Sequence, residues 1–195
     1  MDACWSTQKI MRVIGFVVIG LLVFAGCASS EEADSDEGFY DASLKPEEHR
    51  HRAQIALEKL LAKEQELEKA ESKSMREYLG WEINRYKKEF EYYFKQAEKG
   101  IPDDPQLVML DGAYLMWQKK YEAAIERFNR LINRKINDAS VYLNLALCYD
   151  ALGDIDKAYE NCAKALEIDP RFSRAARYIV ELEQKKQEKQ LLKEK

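Results

Sequence analysis

Side chains that could do chemistry are few in this chain, and their spacing argues against catalysis. The two histidines, His49 and His51, stand two positions apart, so on a helix they do not share a face and do not form a metal site. We predict that both are exposed polar residues. The acidic pair Asp103 and Asp104 is explained by helix capping, because Asp104 precedes Pro105 at the start of a helical pattern. The sequence contains no glycine-rich phosphate loop and no metal-ligand spacing of cysteine or histidine. We therefore predict no enzyme, no cofactor and no metal.

Cysteine is the other reactive residue type, with Cys148 and Cys162 in two neighbouring helical patterns. A disulfide requires closely spaced Cα atoms. Cys162 falls on the apolar stripe of its helix, whereas Cys148 falls beside the stripe of its own helix. We predict two buried free thiols that pack as small hydrophobic groups, with a disulfide as the alternative.

Residues 1–26 are organised like a secretory signal. Lys9 and Arg12 precede an apolar run from Val13 to Ala25. The run is shorter than the ~20 apolar residues of a membrane-spanning helix. Residues 24–27, Phe-Ala-Gly-Cys, are similar to the lipobox of bacterial lipoproteins. That resemblance implies cleavage before Cys27 and attachment of diacylglycerol to Cys27. The alternatives are an ordinary signal peptide or an anchor with an incidental cysteine.

The residues after Cys27 suggest where such a lipoprotein would reside. Ala28 and Ser29 stand where an Asp retains Gram-negative lipoproteins at the inner membrane. The resemblance therefore implies the outer membrane, facing the periplasm, in a Gram-negative organism. Residues 27–45 are rich in Ser, Asp and Glu and lack the apolar content for a core, which predicts a lipidated cysteine followed by a flexible acidic tether.

Residues 139–172 contain two short helical patterns back to back. Gly153 suits a left-handed turn at the end of the first pattern, Asp154 can cap the second, and Pro170 ends it. The segment resembles a tetratricopeptide repeat. The matching residues are Tyr142, Leu145, Ala146, Tyr149, Leu152, Gly153, Asp154, Ala158, Ala165 and Pro170. The resemblance implies an antiparallel helix pair, and such a pair needs neighbours to cover its apolar stripe.

A second copy lies upstream, in residues 105–138. Gly112 precedes Ala146 by 34 residues, which is the period of this repeat class. This copy departs from the pattern at three positions. Asp111 occupies the position of Leu145, Lys119 replaces the turn glycine, and Ile136 replaces the terminal proline. The packing around Asp111 is left open by the sequence.

Flanking segments complete the predicted architecture. Residues 46–72 predict a solvated helix, residues 73–104 a degenerate repeat-like helix pair with aromatic core residues, and residues 173–195 a C-terminal capping helix. The fold class is therefore all-α, a short α-solenoid of the tetratricopeptide type made of antiparallel helix pairs with flanking helices. The aromatic residues beside Lys87 and Lys88 could also stack nucleic-acid bases. The net charge of −4 argues against that alternative.

The family resemblance implies that partners bind on a concave face formed by the first helix of each pair. By the 34-residue register, the partner-binding face contains Met109, Ala113, Met116, Leu143, Asn144, Leu147 and Asp150. Asn144 stands where family members use an asparagine to hold a peptide backbone. The alternative is that Met109 and Met116 pack against the preceding helices.

These observations support two functional hypotheses. The first is an adaptor held on the membrane by a lipid anchor, which binds a protein or peptide partner in the bacterial envelope. It resembles pilotin-type and barrel-assembly lipoproteins of this repeat class in plan. The second is a structural subunit that forms homo-oligomers through the helix in residues 46–72. Neither hypothesis involves nucleic acid.

Overall fold

The computed structural model describes residue 41 and residues 43–193, and the regular structure in these residues is entirely helical. The helices in chain order are α1 (Pro46–Lys69), α2 (Lys73–Gly100), α3 (Pro105–Trp117), α4 (Tyr121–Asn133), α5 (Ala139–Ala151), α6 (Ile155–Ile168) and α7 (Ser173–Lys193). The predicted all-α fold of packed helix pairs is confirmed. The predicted signal and almost all of the tether lie outside the described residues, so they stay predictions.

The chain divides into two compact units, and the division falls inside α3, between Leu110 and Asp111. Among the described residues, the N-terminal unit contains α1, α2 and the start of α3. The C-terminal unit contains the rest of α3 and helices α4 to α7.

Helices α1 and α2 form an antiparallel hairpin. A Cβ atom built on Gly100, the last residue of α2, would lie 2.3 Å from Cγ of Pro46, the first residue of α1. Further along the hairpin, Lys63 of α1 forms an ion pair of 3.3 Å with Glu82 of α2. Apolar residues at helical spacing fill the interface between the two helices. They are Ala53, Ala56, Leu57, Leu60 and Leu61 in α1, and Leu79, Ile83, Tyr86, Phe90, Tyr93 and Ala97 in α2.

Two predictions about this unit are wrong. Residues 46–72 are not a solvated helix, because α1 buries one face in its pairing with α2. Residues 73–104 are not a helix pair, because α2 continues unbroken from Lys73 to Gly100. Ser72 caps its start by accepting a hydrogen bond of 3.2 Å from the Met75 amide. No proline interrupts residues 73–100, and a long helix is stable here because α1 matches it in length.

His49 is buried, so the prediction that both histidines are exposed is wrong for this residue and confirmed for His51. The centroid of the His49 ring lies 5.7 Å from that of Tyr93. The reason is register, because His49 shares a helix face with the core residues Ala53 and Leu57.

In the C-terminal unit, the turn between α5 and α6 has the hydrogen bonds of a Schellman motif. Gly153 has φ 81°, and its amide donates to the Asp150 carbonyl over 2.9 Å. The Asp154 amide donates to the Tyr149 carbonyl, also over 2.9 Å. The Asp154 side chain then accepts a hydrogen bond of 3.1 Å from the Lys157 amide, which caps α6. The roles predicted for Gly153 and Asp154 are confirmed.

The turn between α3 and α4 repeats this geometry with a lysine in place of the glycine. Lys119 has φ 61°, and its amide donates to the Met116 carbonyl over 2.9 Å. The Lys120 amide donates to the Leu115 carbonyl over the same distance. A left-handed conformation costs a residue with a Cβ atom ~1–2 kcal/mol. The α3–α4 pair therefore keeps the turn of the α5–α6 pair at a cost in stability.

Lys119→Gly should raise the free energy of unfolding by ~0.5–1 kcal/mol. The substitution relieves the left-handed strain, and this gain exceeds the entropy that glycine adds to the unfolded chain. Thermal unfolding followed by circular dichroism measures the change. Lys120→Gly is the matched control, because Lys120 has φ −90° and has no such strain to relieve. A melting temperature that falls for Lys119→Gly would show that the left-handed turn is not strained.

Helices α3 and α4 approach each other closely at Gly112. A Cβ atom on Gly112 would lie 2.5 Å from Cε1 of Phe128, whose ring is fully buried. In the 34-residue register, the second repeat has Ala146 and Cys162 at these two positions. A smaller residue on the first helix thus accompanies a larger one on the second helix. In each helix pair, the two side chains together fill the space between the helices, although the individual side-chain volumes differ.

The structure also explains the polar residue at the position of a repeat leucine. The carboxylate of Asp111 on α3 is ion-paired with the guanidinium group of Arg127 on α4 through Oδ2 and Nε. Both side chains are partly exposed. The packing that the sequence left open is therefore a salt bridge between helices α3 and α4.

Candidate functional site

Helix α5 lies at the centre of the C-terminal unit. Its residues from Ala139 to Cys148 are buried apart from the half-buried Tyr142, and α5 packs against α4 and α6. A helix that is apolar all round is typical of an element covered on every side. The residue predicted to hold a peptide backbone, Asn144, is fully buried in this helix.

The predicted concave face does not form an open surface in this structure. Six of the seven predicted residues are buried, namely Ala113, Met116, Leu143, Asn144, Leu147 and Asp150. The seventh, Met109, is half buried and belongs to the N-terminal unit. Their assignment to partner binding stays a prediction.

Asp150 is the predicted residue whose surroundings are most informative, because two side chains of α7 contact it. The Tyr178 hydroxyl donates a hydrogen bond of 2.7 Å to Oδ2 of Asp150. The ammonium group of Lys185 forms an ion pair with the same oxygen. Burial, reinforced by the charge of Asp150, raises the pKa of Tyr178, so its hydroxyl stays protonated and remains a donor. Asp150 thus accepts two hydrogen bonds from one helix.

Two further polar contacts attach α7 to α6. Lys186 forms an ion pair of 2.7 Å with Asp156, and its ammonium group lies 5.7 Å from the ring centroid of Tyr159. The Tyr159 hydroxyl donates to Oε1 of Glu183 over 3.2 Å. The second half of α7 is therefore held on the repeat by charged and hydroxyl groups.

Sequence reasoning assigned α7 a capping role and missed its contacts with Asp150. The register contained a signal for Tyr178, because this residue follows Asn144 by 34 positions. Tyr178 therefore occupies the place that the predicted peptide-holding asparagine would have in a following repeat.

The aromatic residues of α2 divide between the core and the surface. Tyr86, Phe90 and Tyr93 are buried, as predicted. Tyr78 and Trp81 are 53% and 59% exposed, so a core role is wrong for these two residues. Together with Met75, which is 49% exposed, they form the α2 surface stripe, spaced by three residues along the helix. Exposed aromatic residues in a cluster are typical of interaction surfaces.

Cys148 and Cys162 are buried free thiols, as predicted. The Cys162 sulfur contacts the Ala175 carbonyl oxygen of α7 at 3.3 Å, as a donor. Burial raises the pKa of Cys162 to about 12, and burial also raises the pKa of Cys148. The two thiols therefore stay protonated at neutral pH.

Both thiols should resist alkylation in the folded protein. A pKa of about 12 instead of an ordinary value of 9.0 lowers the thiolate fraction of Cys162 about a thousandfold near neutral pH. Iodoacetamide at pH 8, with mass spectrometry of the digested peptides, measures labelling at each cysteine. The same reaction in urea is the control, and it should label both residues quickly. Equal rates in the folded and unfolded protein would contradict the burial of these thiols.

Metal and membrane sites are not found in the part of the chain that the structure describes. There, no group of three or more His, Cys, Asp or Glu side chains could hold a metal ion. No helix within residues 43–193 combines the length and apolar character needed to cross a bilayer.

Comparison with known proteins identifies the repeat. Residues 139–172 match the family model of the tetratricopeptide repeat. The Hsp70-Hsp90 organizing protein of Triticum aestivum is 35% identical over 89 residues, covering 40% of this chain and 15% of that protein. Sperm-associated antigen 1 of Rattus norvegicus is 36% identical over 80 residues, covering 41% of this chain and 9% of that protein. The mitochondrial import receptor subunit TOM70 of Saccharomyces cerevisiae (strain YJM789) is 41% identical over 63 residues, covering 32% of this chain and 10% of that protein. No solved structure matches the chain significantly.

Residues 139–172 are therefore a tetratricopeptide repeat, built from α5 and α6. The fold and this match define an all-helical protein that contains a tetratricopeptide repeat. The chain spans only 9% to 15% of the length of these three relatives.

Proposed function

We propose that this protein is a lipid-anchored adaptor that binds a protein or peptide partner in the bacterial cell envelope and assists an envelope assembly, such as a secretion or pilus assembly. The observation that carries the adaptor role is the tetratricopeptide repeat in residues 139–172. The relatives include an Hsp70-Hsp90 organizing protein and a mitochondrial import receptor subunit, and both names indicate interaction with other proteins. This chain covers a small part of them, so the partner has to be identified by experiment.

The anchor is supported by the pattern of residues 1–27, which lies outside the described part of the structure. A positively charged start, a short apolar run and Cys27 are what a lipoprotein signal requires. A lipid on Cys27 would place the protein in the envelope, and the absence of Asp after Cys27 favours the outer membrane. The acidic tether would then hold the helical units away from the membrane surface.

Metabolic labelling with a radioactive fatty acid tests the anchor. The wild-type protein should be labelled, and Cys27→Ser should lose the label and leave the membrane fraction or retain its signal. Cys4→Ser is the matched control, because it removes a cysteine from the same segment and should keep the label. Equal labelling of wild type and Cys27→Ser would exclude lipidation at this residue.

A crosslinked pull-down from the native envelope tests the adaptor role. Wild type should recover a defined partner, and Asn144→Ala and Asp150→Asn should reduce that recovery. Because both residues are buried, the melting temperature of each variant has to be measured in parallel. Glu31→Lys in the tether is the control and should leave recovery unchanged. If both variants recovered the partner as fully as wild type, Asn144 and Asp150 would not contribute to partner binding.

Self-association is a second candidate function, and one structural feature favours it. The sequence predicts self-association through the helix in residues 46–72. The apolar face of this helix, α1, is instead buried in the α1–α2 hairpin. The α2 surface stripe instead offers Met75, Tyr78 and Trp81 to a second copy of the chain. Light scattering on the purified protein should then give twice the monomer mass, and Trp81→Arg should give the monomer mass. Lys88→Glu on the same helix is the control. A monomeric wild type would exclude this function.

A further inference from the structure

Helix α7 is attached to the repeat by a short apolar stripe. The stripe consists of Ala175, Tyr178 and Leu182, which are buried at helical spacing in the first half of the helix. From Glu183 to Leu191 every described side chain is polar or exposed. Segments with few buried apolar contacts open locally at a lower free energy than the core around them. Helix α7 therefore has the features of an element that can leave the repeat while the repeat stays folded.

The surface under α7 is chemically distinct, because it presents carboxylates to a basic helix. Asp150, with a side chain only 3% exposed, accepts a hydrogen bond from Tyr178 and forms an ion pair with Lys185. Asp156 forms an ion pair with Lys186, the residue that follows Lys185. The two donors to Asp150 stand seven residues apart, or about two helical turns, so one face of one helix supplies both.

This arrangement dictates what can replace α7. When α7 leaves, Asp150 becomes hydrated, and any segment that covers it again has to compensate the lost water. An apolar segment would leave the carboxylate buried and unpaired, which is strongly unfavourable. A helix that brings a hydroxyl group and an ammonium group at the spacing of Tyr178 and Lys185 avoids this cost. Charge complementarity therefore selects a basic amphipathic helix as the occupant.

We propose that α7 is an internal ligand of the tetratricopeptide repeat, and that a basic amphipathic helix of the partner displaces it by placing its own donors on Asp150. This inference rests on the proposed adaptor function and specifies its partner. It makes α7 an autoinhibitory element, because a partner helix gains access to the carboxylates only when α7 opens. It also gives Asp150, predicted from the register as a partner-binding residue, its chemical role.

A labelled peptide with the sequence of residues 173–193 is the probe, because it copies the internal ligand. Fluorescence anisotropy measures its binding to the full chain. The double substitution Tyr178→Phe with Lys185→Met weakens the chain's own α7 and should raise peptide affinity at least about tenfold over wild type. Adding Asp150→Asn to this variant should abolish the gain. Failure of the double variant to bind the peptide, or equal binding with Asp150→Asn, would overturn the proposal.

The peptide itself offers a matched comparison. A peptide carrying Lys185→Met should bind the double variant about tenfold more weakly than the unmodified peptide, because it lacks the ammonium group for Asp150. A peptide carrying Arg177→Met loses a cation at an exposed position beside Tyr178 and should bind as the unmodified peptide does. Equal weakening by both substitutions would mean that general basicity, and not the contact with Asp150, drives binding.

Hydrogen exchange on the wild-type chain supplies a measurement that needs no variant. Amides of α7 should exchange at least about tenfold faster than those of α5, while α5 and α6 remain protected. Equal rates in α7 and α5 would make α7 part of the cooperative core and overturn the proposal. These experiments use neither the lipid nor the envelope. If the peptide experiments give the expected results but the pull-down recovers no partner, only the proposed adaptor function is contradicted.

Discussion

Gly112→Ala should lower the free energy of unfolding of the C-terminal unit by about 1–3 kcal/mol. The added Cβ atom would lie 2.5 Å from Cε1 and 2.7 Å from Cζ of Phe128. The Phe128 ring is fully buried, so it yields only by forcing the helices apart or leaving its rotamer. This cost outweighs the gain in helix propensity of alanine over glycine, ~1 kcal/mol. Chemical denaturation followed by circular dichroism measures the loss.

Two further variants isolate the contact between α3 and α4. Gly80→Ala in α2 is the matched control, because a Cβ atom there meets nothing within 4 Å, and this change should stabilise the chain slightly. The double variant Gly112→Ala with Phe128→Leu should recover part of the loss, since the smaller side chain makes room for the new methyl group. Strictly additive losses would mean that Gly112 and Phe128 do not share one packing site.

Ala158→Trp should destabilise the second repeat by about 3 kcal/mol or more. Ala158 is fully buried in α6 and is one of the small residues of the repeat pattern. An indole ring at this position cannot be accommodated without separating helices, and overpacking of this size exceeds the usual range of ~1–3 kcal/mol. The melting temperature should therefore fall by many degrees, or the unit should fail to fold cooperatively.

Lys164→Trp is the matched control, because Lys164 is exposed on the same helix. It introduces the same side chain into solvent and should change the melting temperature little. If both tryptophan variants unfolded at the wild-type temperature, the 34-residue register that places Ala158 in the core would be wrong.

The residues that support partner binding and those that support a lipid anchor lie in different parts of the chain. The proposed binding of another protein rests on the repeat in residues 139–172, and α7 contacts the end of that repeat through Asp150. The proposed membrane attachment rests on Cys27 and the residues before it. The experiments above therefore test the anchor, the partner and the internal ligand independently.

Features that depend on a few neighbouring residues could be predicted from the sequence. The Gly153 turn and the Asp154 cap have local causes, namely backbone freedom at glycine and a side-chain acceptor near free amides. The helical character followed from apolar spacing, and the solenoid type followed from the resemblance to the tetratricopeptide repeat with its 34-residue register. The burial of Cys162 followed from the same spacing, because this residue falls on the apolar stripe of its helix.

Which helix faces pack against each other could not be predicted from the sequence. Helix α2 is continuous over its whole length. Its packing against α1 buries His49 and leaves Trp81 at the surface. The contacts of Asp150 with Tyr178 and Lys185 join residues that are 28 and 35 positions apart. The physical reason is the same in each case. A helical pattern specifies that a face must be covered, whereas the covering residue depends on the distance and angle between helices, and no local rule contains that information.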